Sequence, residues 1–329
     1  HETAVRRGLQ ERPDRQDAHL SPDRARDGAR RLALTLALTG KRTIRAPERA
    51  FGQGADASAL DASAVLPGWT DADVGSLLRR SLFDPATYGR VRFHHRTIQE
   101  FLAAERLREL RAKGMTQRQV QRFLFAERYG ERVVIPSRRP LAAWLALWND
   151  TVAKEVLARE PEVLILHGDP QSLSLTARAE LVRRYLAAYG DGDWRNLQLP
   201  VTEVRRLAKP DLAPVIRECW NAPHSNGEVD ELLLKLIWLG AIDACADIAA
   251  GVAMDQLRSK VARILAIRAI AACGKTSDLR RVSSDMLTNG ESWPDSVIYH
   301  AIDDLFPSVL TVDEVGQLIR DTPEPNKTI

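Results

Sequence analysis

The chain has few cysteines and few aromatic residues. Its 329 residues include three cysteines, and aromatic residues make up 6% of the sequence. Cys219, Cys245 and Cys273 are odd in number and far apart, and each lies in an apolar helical pattern. This spacing gives no disulfide framework, so we expect buried free thiols and a reducing, cytoplasmic compartment.

Long apolar runs and a strong net charge are also missing. No apolar run reaches the roughly 18 residues that a membrane span needs, so no membrane partner is expected. The formal net charge of +3 is too small to indicate a nucleic-acid partner by itself. With 28% charged and 44% hydrophobic residues, the composition is that of a soluble globular protein.

The sequence lacks the motifs that would make this chain an enzyme. Gly40-Lys41-Arg42-Thr43 and Gly274-Lys275-Thr276 both lack the first glycine of a phosphate-binding loop, and the second follows a helical pattern. Cys219 and His224 have no further ligands nearby, so no metal site is predicted. No catalytic residue can be assigned, and no cofactor is expected to bind this chain alone.

Alanine, leucine and arginine dominate, and these residues head the helix propensity scale. The sequence therefore predicts a mostly α-helical protein. Residues 1–19 are polar and predict a linker or the tail of an upstream domain. The pattern of residues 20–112 predicts a helix from Ser21 to Gly40 and a strand at 43–45. It then predicts helices near 57–65 and 70–82, a hairpin from Leu82 to His94 and a long helix at 97–112. This order is typical of a winged-helix domain.

Residues 113–329 show only helical patterns with short connections. Such a series favours antiparallel pairs stacked into an irregular α-solenoid of HEAT or armadillo type. A break is possible near Gly190-Asp191-Gly192. The predicted helices are 117–126, 140–149, 151–159, 176–189, 202–208, 211–221, 228–239, 241–252, 255–272, 277–288, 294–304 and 312–320.

One stretch carries a specific resemblance. The segment from Phe93 to Ala104 resembles the F-x-H-x-x-x-Q-E-[FY]-x-A-A signature of NACHT-type signalling NTPases. The matching residues are Phe93, His95, Gln99, Glu100, Phe101, Leu102, Ala103 and Ala104. These belong to the STAND superfamily, which includes NOD-like receptors and bacterial antiphage sensors. The resemblance covers roughly residues 20–112. Within this range, the other residues that fit the family pattern are Leu32-Ala33, Leu77-Leu78, Ser81-Leu82-Phe83 and Val91-Arg92-Phe93.

The resemblance implies a regulatory and sensor role in signalling or antiviral defence. It implies that a nucleotide-binding domain upstream of His1 holds ATP or ADP with Mg²⁺, and that His95 contacts the ADP phosphate. The winged helix would gate nucleotide exchange, a protein or peptide trigger would bind the repeats, and the protein would form a homo-oligomer on activation. If strand alternation continues past Phe93, His95 faces inward and His94 faces solvent. Phe101, Leu102 and the two alanines are expected to pack.

Two other classes of function stay open. A winged helix often binds nucleic acid, and Arg79, Arg80, Arg90 and Arg92 would then supply the contacts, with His94 and Arg96 beside them. Asp71, Asp73 and Asp84 in the same segment count against that alternative. The chain could also be a helical-repeat scaffold for protein interactions without any nucleotide switch.

Overall fold

The computed structural model describes residues 1–10, 20–47, 58–197 and 199–321. The chain is mostly helical and has a small sheet, which confirms the predicted fold class at that level. It divides into two compact units. The first holds His1–Val163 and His167–Asp169, and the second holds Leu164–Leu166 and the chain from Pro170 onward.

The first unit combines eight helices and six strands among its described residues. They are α1 (Glu2–Gln10), α2 (Pro22–Thr39), β1 (Thr43–Arg45), β2 (Ala59–Asp61), α3 (Ala62–Val65), α4 (Asp71–Leu78), β3 (Phe83–Ala86), β4 (Arg90–Phe93), α5 (Arg96–Ala112), α6 (Gln117–Leu124), β5 (Phe125–Arg128), β6 (Glu131–Val134), α7 (Arg139–Ala146) and α8 (Asp150–Arg159).

Local capping explains why the first helices begin and end where they do. The Ser21 hydroxyl accepts a hydrogen bond from the backbone N–H of Arg24 at 3.2 Å, and Gly40 ends α2 in the left-handed conformation with φ of 69°. Thr70 caps α4 in a reciprocal capping box with Asp73. These helix ends agree with the sequence-based expectation.

Four strands form the main sheet in the order β2-β1-β4-β3. Strand β1 pairs in parallel with β2 and antiparallel with β4, which also pairs antiparallel with β3. Ile44, Phe83 and Phe93 are buried on the inner face of the sheet. Strand β2 lies within the segment predicted to be helical, and the start of that prediction at Ala57 lies outside the described residues.

Helix α5 is the central helix of the first unit because it packs against both α2 and α7. The Phe101 ring meets the Trp144 ring edge-on at 5.2 Å and the Trp148 ring at 5.7 Å. Both tryptophans come after the predicted end of the first domain at residue 112. The compact unit therefore continues past that residue, since these contacts bury the apolar face of α7.

Residues 2–10 are helical, although a linker or a domain tail was expected before residue 20. Val5 and Leu9 lie one turn apart and are buried, with exposed fractions of 0% and 3%. The Arg26 guanidinium binds the Glu2 carboxylate and also the Glu105 carboxylate, at 2.7 Å in each case. Two apolar residues among many charges make a narrow stripe, which explains why the sequence pattern missed this helix.

The hairpin of β5 and β6 also differs from the expectation of helices alone after residue 116. Tyr129 and Gly130 form its turn with positive φ values of 54° and 80°. Glu127 lies opposite Arg132, and Arg128 lies opposite Glu131. Residues of opposite charge therefore face each other across the two strands, and these charges obscure the apolar alternation that marks a strand.

The second unit is built from helices in the part that the structure describes. After α9 (Val163–Leu166), which spans the division, they are α10 (Leu175–Tyr189), α11 (Val201–Leu207), α12 (Ala213–Asn221), α13 (Gly227–Gly240), α14 (Ala246–Met254), α15 (Lys260–Ala272), α16 (Thr276–Thr288), α17 (Asp295–Leu305) and α18 (Val312–Asp321). The predicted helices overlap these, but α15 starts later than expected because Ser259 caps it.

Helices of the second unit pack mainly on the helix two places further along the chain. Helix α11 contacts α13, α13 contacts α15, and α15 contacts α17. Helix α10 likewise contacts α12, while α16 contacts α14 and α18. The loop at Gly190, where a break was considered possible, is tied into this unit because the Gly190 carbonyl accepts hydrogen bonds from the N–H groups of Ser225 and Asn226.

Five arginine–carboxylate pairs connect elements of this unit, and the two residues of each pair are separated by a similar number of residues in the sequence. Their members lie 33, 35, 30, 36 and 34 residues apart. The pairs are Arg178–Asp211, Arg183–Glu218, Arg217–Asp247, Arg268–Asp304 and Arg280–Glu314. These separations are close to the sequence distance between a helix of this unit and the helix two places further along the chain.

Arg80 joins the N-terminal helix to the rest of the first unit. Its side chain is buried, with 2% exposed, and its guanidinium donates hydrogen bonds to the carbonyl of Leu9 and, at 2.8 Å, to the carbonyl of Leu20. Leu9 lies in the last turn of α1, where a cation is favoured by the helix dipole. One side chain thus fixes the end of α1 and the residue before the cap of α2.

We expect Arg80→Met to destabilise the first unit by about 3 kcal/mol, because two buried carbonyls lose a charged donor. Urea unfolding and hydrogen exchange of the α1 and α2 amides would measure the loss. Arg79→Met, which changes the exposed neighbour, is the matched control. Equal stability of the two variants would contradict this role of Arg80.

Candidate functional site at the β3–β4 hairpin

The predicted site lies where the β3–β4 hairpin meets α5. Tyr88 and Gly89 form the turn with φ values of 60° and 69°, and Tyr88 is 89% exposed. The N–H of His94 donates to the carbonyl of Leu82 at 2.9 Å, which closes the open end of the hairpin. Residues 94 and 95 then connect β4 directly to the first turn of α5.

His95 is the N-cap residue of α5. Its backbone is extended, with φ of −121° and ψ of 127°, and its carbonyl accepts hydrogen bonds from the N–H groups of Ile98 and Gln99 at 3.1 and 3.2 Å. Its imidazole makes no capping bond and is exposed. The expected inward orientation is wrong because strand alternation stops at Phe93, where β4 ends.

His94 is exposed, as predicted, and it has a partner. Its Nδ1 lies 2.7 Å from Oδ2 of Asp84, and its ring meets the His95 ring edge-on at 4.1 Å. The Asp84 carboxylate therefore holds one of the two neighbouring imidazoles. The His95 ring lies against this pair and faces solvent.

The arginines proposed for nucleic-acid contact do not form one basic surface. Arg80 is buried in the contacts described above, so that assignment is wrong for it. Arg79 is exposed at the end of α4. Arg90 and Arg92 share the outer face of β4, but Arg92 lies opposite Asp84 across the hairpin. A carboxylate therefore lies beside the guanidinium groups of this face.

Strand β1 adds residues to the outer face that sequence patterns did not identify. Arg45 lies opposite Arg90, and Asp61 lies beside Arg45 on β2. Hydrogen bonding from Ser63 and, to a smaller extent, the charge of Arg45 hold the pKa of Asp61 below its ordinary value. The sequence pattern does not reveal this part of the sheet face, because β1 and β2 have only three residues each and pair with strands that are distant in the sequence.

The Gln-Glu-Phe-Leu-Ala-Ala part of the motif lies in the first turns of α5. Phe101, Leu102, Ala103 and Ala104 are buried, which confirms that they pack. Glu100 is partly buried, and burial raises its pKa although Arg96 lies 2.8 Å away. Arg96 is 82% exposed, so this ion pair is largely screened by solvent.

The two glycine–lysine segments lie at helix ends. Gly40 ends α2, and the ammonium group of Lys41 donates to the carbonyl of Ala59 at 2.8 Å. Gly274, with φ of 66°, connects α15 to α16. Within residues 1–10, 20–47, 58–197 and 199–321, no group of three His, Cys, Asp or Glu side chains is arranged to hold a metal ion.

A membrane-spanning helix is not found among the described residues either, since none is both long and apolar enough. Comparison of the chain with protein-family models, curated proteins and solved structures finds no match.

The raised pKa of Glu100 predicts a pH-dependent gain from Glu100→Gln. Above its ordinary pKa of 4.5, the unfolded chain loses a proton that the folded chain still holds, so stability falls as pH rises through this window. Glutamine removes this cost. We expect the variant to gain stability relative to the parent chain as the pH is raised from about 4 to about 7.

Thermal unfolding of both chains across this pH range would measure the difference. Glu127→Gln, which changes an exposed carboxylate in β5, should show no such trend. A stability difference for Glu100→Gln that stays constant with pH would contradict the assignment of burial as the cause.

Proposed function

We propose that this chain is the switch and sensor region of a NACHT-type signalling NTPase. The first unit would gate exchange of ADP for ATP in a nucleotide-binding domain upstream of His1, and the second unit would receive the trigger. The observation that carries the proposal is the position of the motif: it spans the end of the hairpin and the start of α5, and it leaves the His95 imidazole exposed.

The order of elements supports a winged-helix domain within the first unit. Helix α2 is followed by β1, α3, α4 and the β3–β4 hairpin, and β4 lies between β1 and β3 in the sheet. This is a helix–strand–helix–helix–hairpin order in which the second hairpin strand pairs with the first strand. Strand β2 is an addition that extends the sheet at the β1 edge.

The packing of the second unit supports a solenoid sensor. Helices α10, α11, α13 and α15 each pack on the helix two places further along the chain, as neighbouring units of a helical-repeat array do. The arginine–carboxylate pairs at separations of 30 to 36 residues are consistent with one repeat per helix pair. A protein or peptide trigger would bind the surface of this array.

The proposed switch depends on a hydrogen bond from His95. An imidazole N–H that donates to a phosphate oxygen forms a charge-assisted hydrogen bond, which is stronger than a neutral one. Such a bond to ADP would favour the resting arrangement of the domains. Trigger binding would weaken that arrangement, ATP would replace ADP, and the protein would assemble into a homo-oligomer that activates an effector in defence signalling.

The alternatives have less support. Arg80 is buried and cannot contact a nucleic acid, and Arg90 and Arg92 share the sheet face with Asp61 and Asp84. A repeat scaffold without a switch would explain the second unit, but it would give no role to the exposed His95 at the motif. The proposed nucleotide switch gives a role both to the exposed His95 of the first unit and to the helical second unit.

The proposal predicts that His95→Ala in the intact protein weakens ADP retention about tenfold or more, since a charge-assisted hydrogen bond contributes about 1.5–3 kcal/mol. Basal activity should rise as ADP is lost. Release of a fluorescent ADP analogue and ATP turnover without a trigger are the measurements.

His94→Ala is the matched control because it removes the same ring one residue earlier and should leave ADP release unchanged. Unchanged ADP release in His95→Ala would overturn the role of His95. An intact protein that binds no nucleotide at all would overturn the proposed function.

A further inference from the structure

A pocket of about 640 Å³ opens beside the C-terminal half of α5. Its walls come from α5, the start of α6, the end of α7 and the first turn of α8. The side chains that matter most are those of Arg108, Arg111, Gln117, Trp148 and Asn149. A volume of this size is within the range of small-molecule sites.

Positive charge dominates the pocket. Arg108 and Arg111 are three residues apart on α5 and therefore neighbours on one helix face. Within the described part of the chain, neither guanidinium forms an ion pair with a carboxylate. The one carboxylate in the lining is that of Asp150, which is exposed. Two arginines against one aspartate leave a net positive charge.

The side chains of the pocket are held in place by their neighbours. The Arg108 guanidinium lies over the Trp148 ring at 4.9 Å, and Trp148 in turn meets the buried Phe101. The Arg111 guanidinium donates to Oε1 of Gln117, which also accepts from Nδ2 of Asn149 at 3.3 Å. These contacts position both guanidinium groups before any ligand arrives, which lowers the entropy cost of binding.

Helix α8 adds a favourable field. Asn149 caps it by accepting hydrogen bonds from the N–H groups of Thr151 and Val152 at 3.1 and 3.2 Å. Asp150 and Thr151 in the first turn of this ten-residue helix line the pocket, and the helix dipole favours an anion there.

We infer that this pocket binds a small organic phosphate. A phosphate dianion suits two unneutralised guanidinium groups, which can donate paired hydrogen bonds to its oxygens. The organic part would stack on the planar Arg108 group that already covers Trp148. His95 and Arg108 are 13 residues apart on one helix, or about 20 Å, so this site is separate from the proposed nucleotide contact.

Phenyl phosphate is the probe, because it joins an aromatic ring to a phosphate group. Calorimetric titration of the chain at low salt should show saturable binding at one site. Binding should be at least tenfold tighter than that of inorganic phosphate or phenol alone and should weaken as salt rises. One indole N–H signal should shift in the NMR spectrum, and Trp148→Phe should identify it.

Arg111→Gln should weaken binding at least tenfold, and circular dichroism would show that the variant folds. Arg118→Gln, which removes an exposed arginine of α6 outside the pocket, is the control of equal charge and should bind as the parent chain does. Absence of saturable binding, equal affinity for inorganic phosphate, or equal weakening in both variants would each overturn the inference.

Discussion

The packing of α2 on α5 is the constraint on which the first unit depends. Both helices bury small residues, since Ala29 and Ala33 of α2 and Ala103 and Ala104 of α5 have no exposed area. Small side chains let the two helix backbones approach closely, and they leave little room for larger ones. The sheet, α1 and α7 are all attached to this helix pair, so the direction of α5 determines where the hairpin ends and where His95 lies.

Charged residues line the edges of the same helix pair. Arg26 and Arg30 of α2 approach the Glu105 carboxylate of α5 at 2.7 and 3.3 Å, and Arg106 of α5 approaches Asp27 of α2. Hydrogen bonds from Lys113 and Arg106 outweigh the opposing effect of burial and lower the pKa of Glu109 to about 2. Each pair is partly exposed and weak alone, but together the pairs fix the axial register of two helices whose alanine surfaces would allow sliding.

The helices were largely predictable because their signals are local. Caps such as Ser21 and Thr70 and apolar stripes at helical spacing identified most of them. The missed features depend on distant partners. The β5–β6 hairpin hides its alternation under charges, and Arg80 looks like a surface arginine until Leu9 and Leu20 surround it. The motif residues of α5 could be assigned to packing from sequence, whereas the orientation of His95 needed the end of β4.

The groups that contact each guanidinium determine whether that arginine has a structural role or can bind a ligand. Arg178 is buried, and its two hydrogen bonds to Asp211 at 2.8 and 2.6 Å offset the cost of burying a guanidinium. Hydrogen bonding to Arg178 holds the pKa of Asp211 below its ordinary value, so this stabilisation is present above about pH 4 and is lost in acid. Because the Asp211 carboxylate neutralises its charge, this guanidinium would attract an anionic ligand only weakly. Among the residues that the structure describes, Arg108 and Arg111 contact an aromatic ring and an amide and no carboxylate, so their charge is still available to an anion.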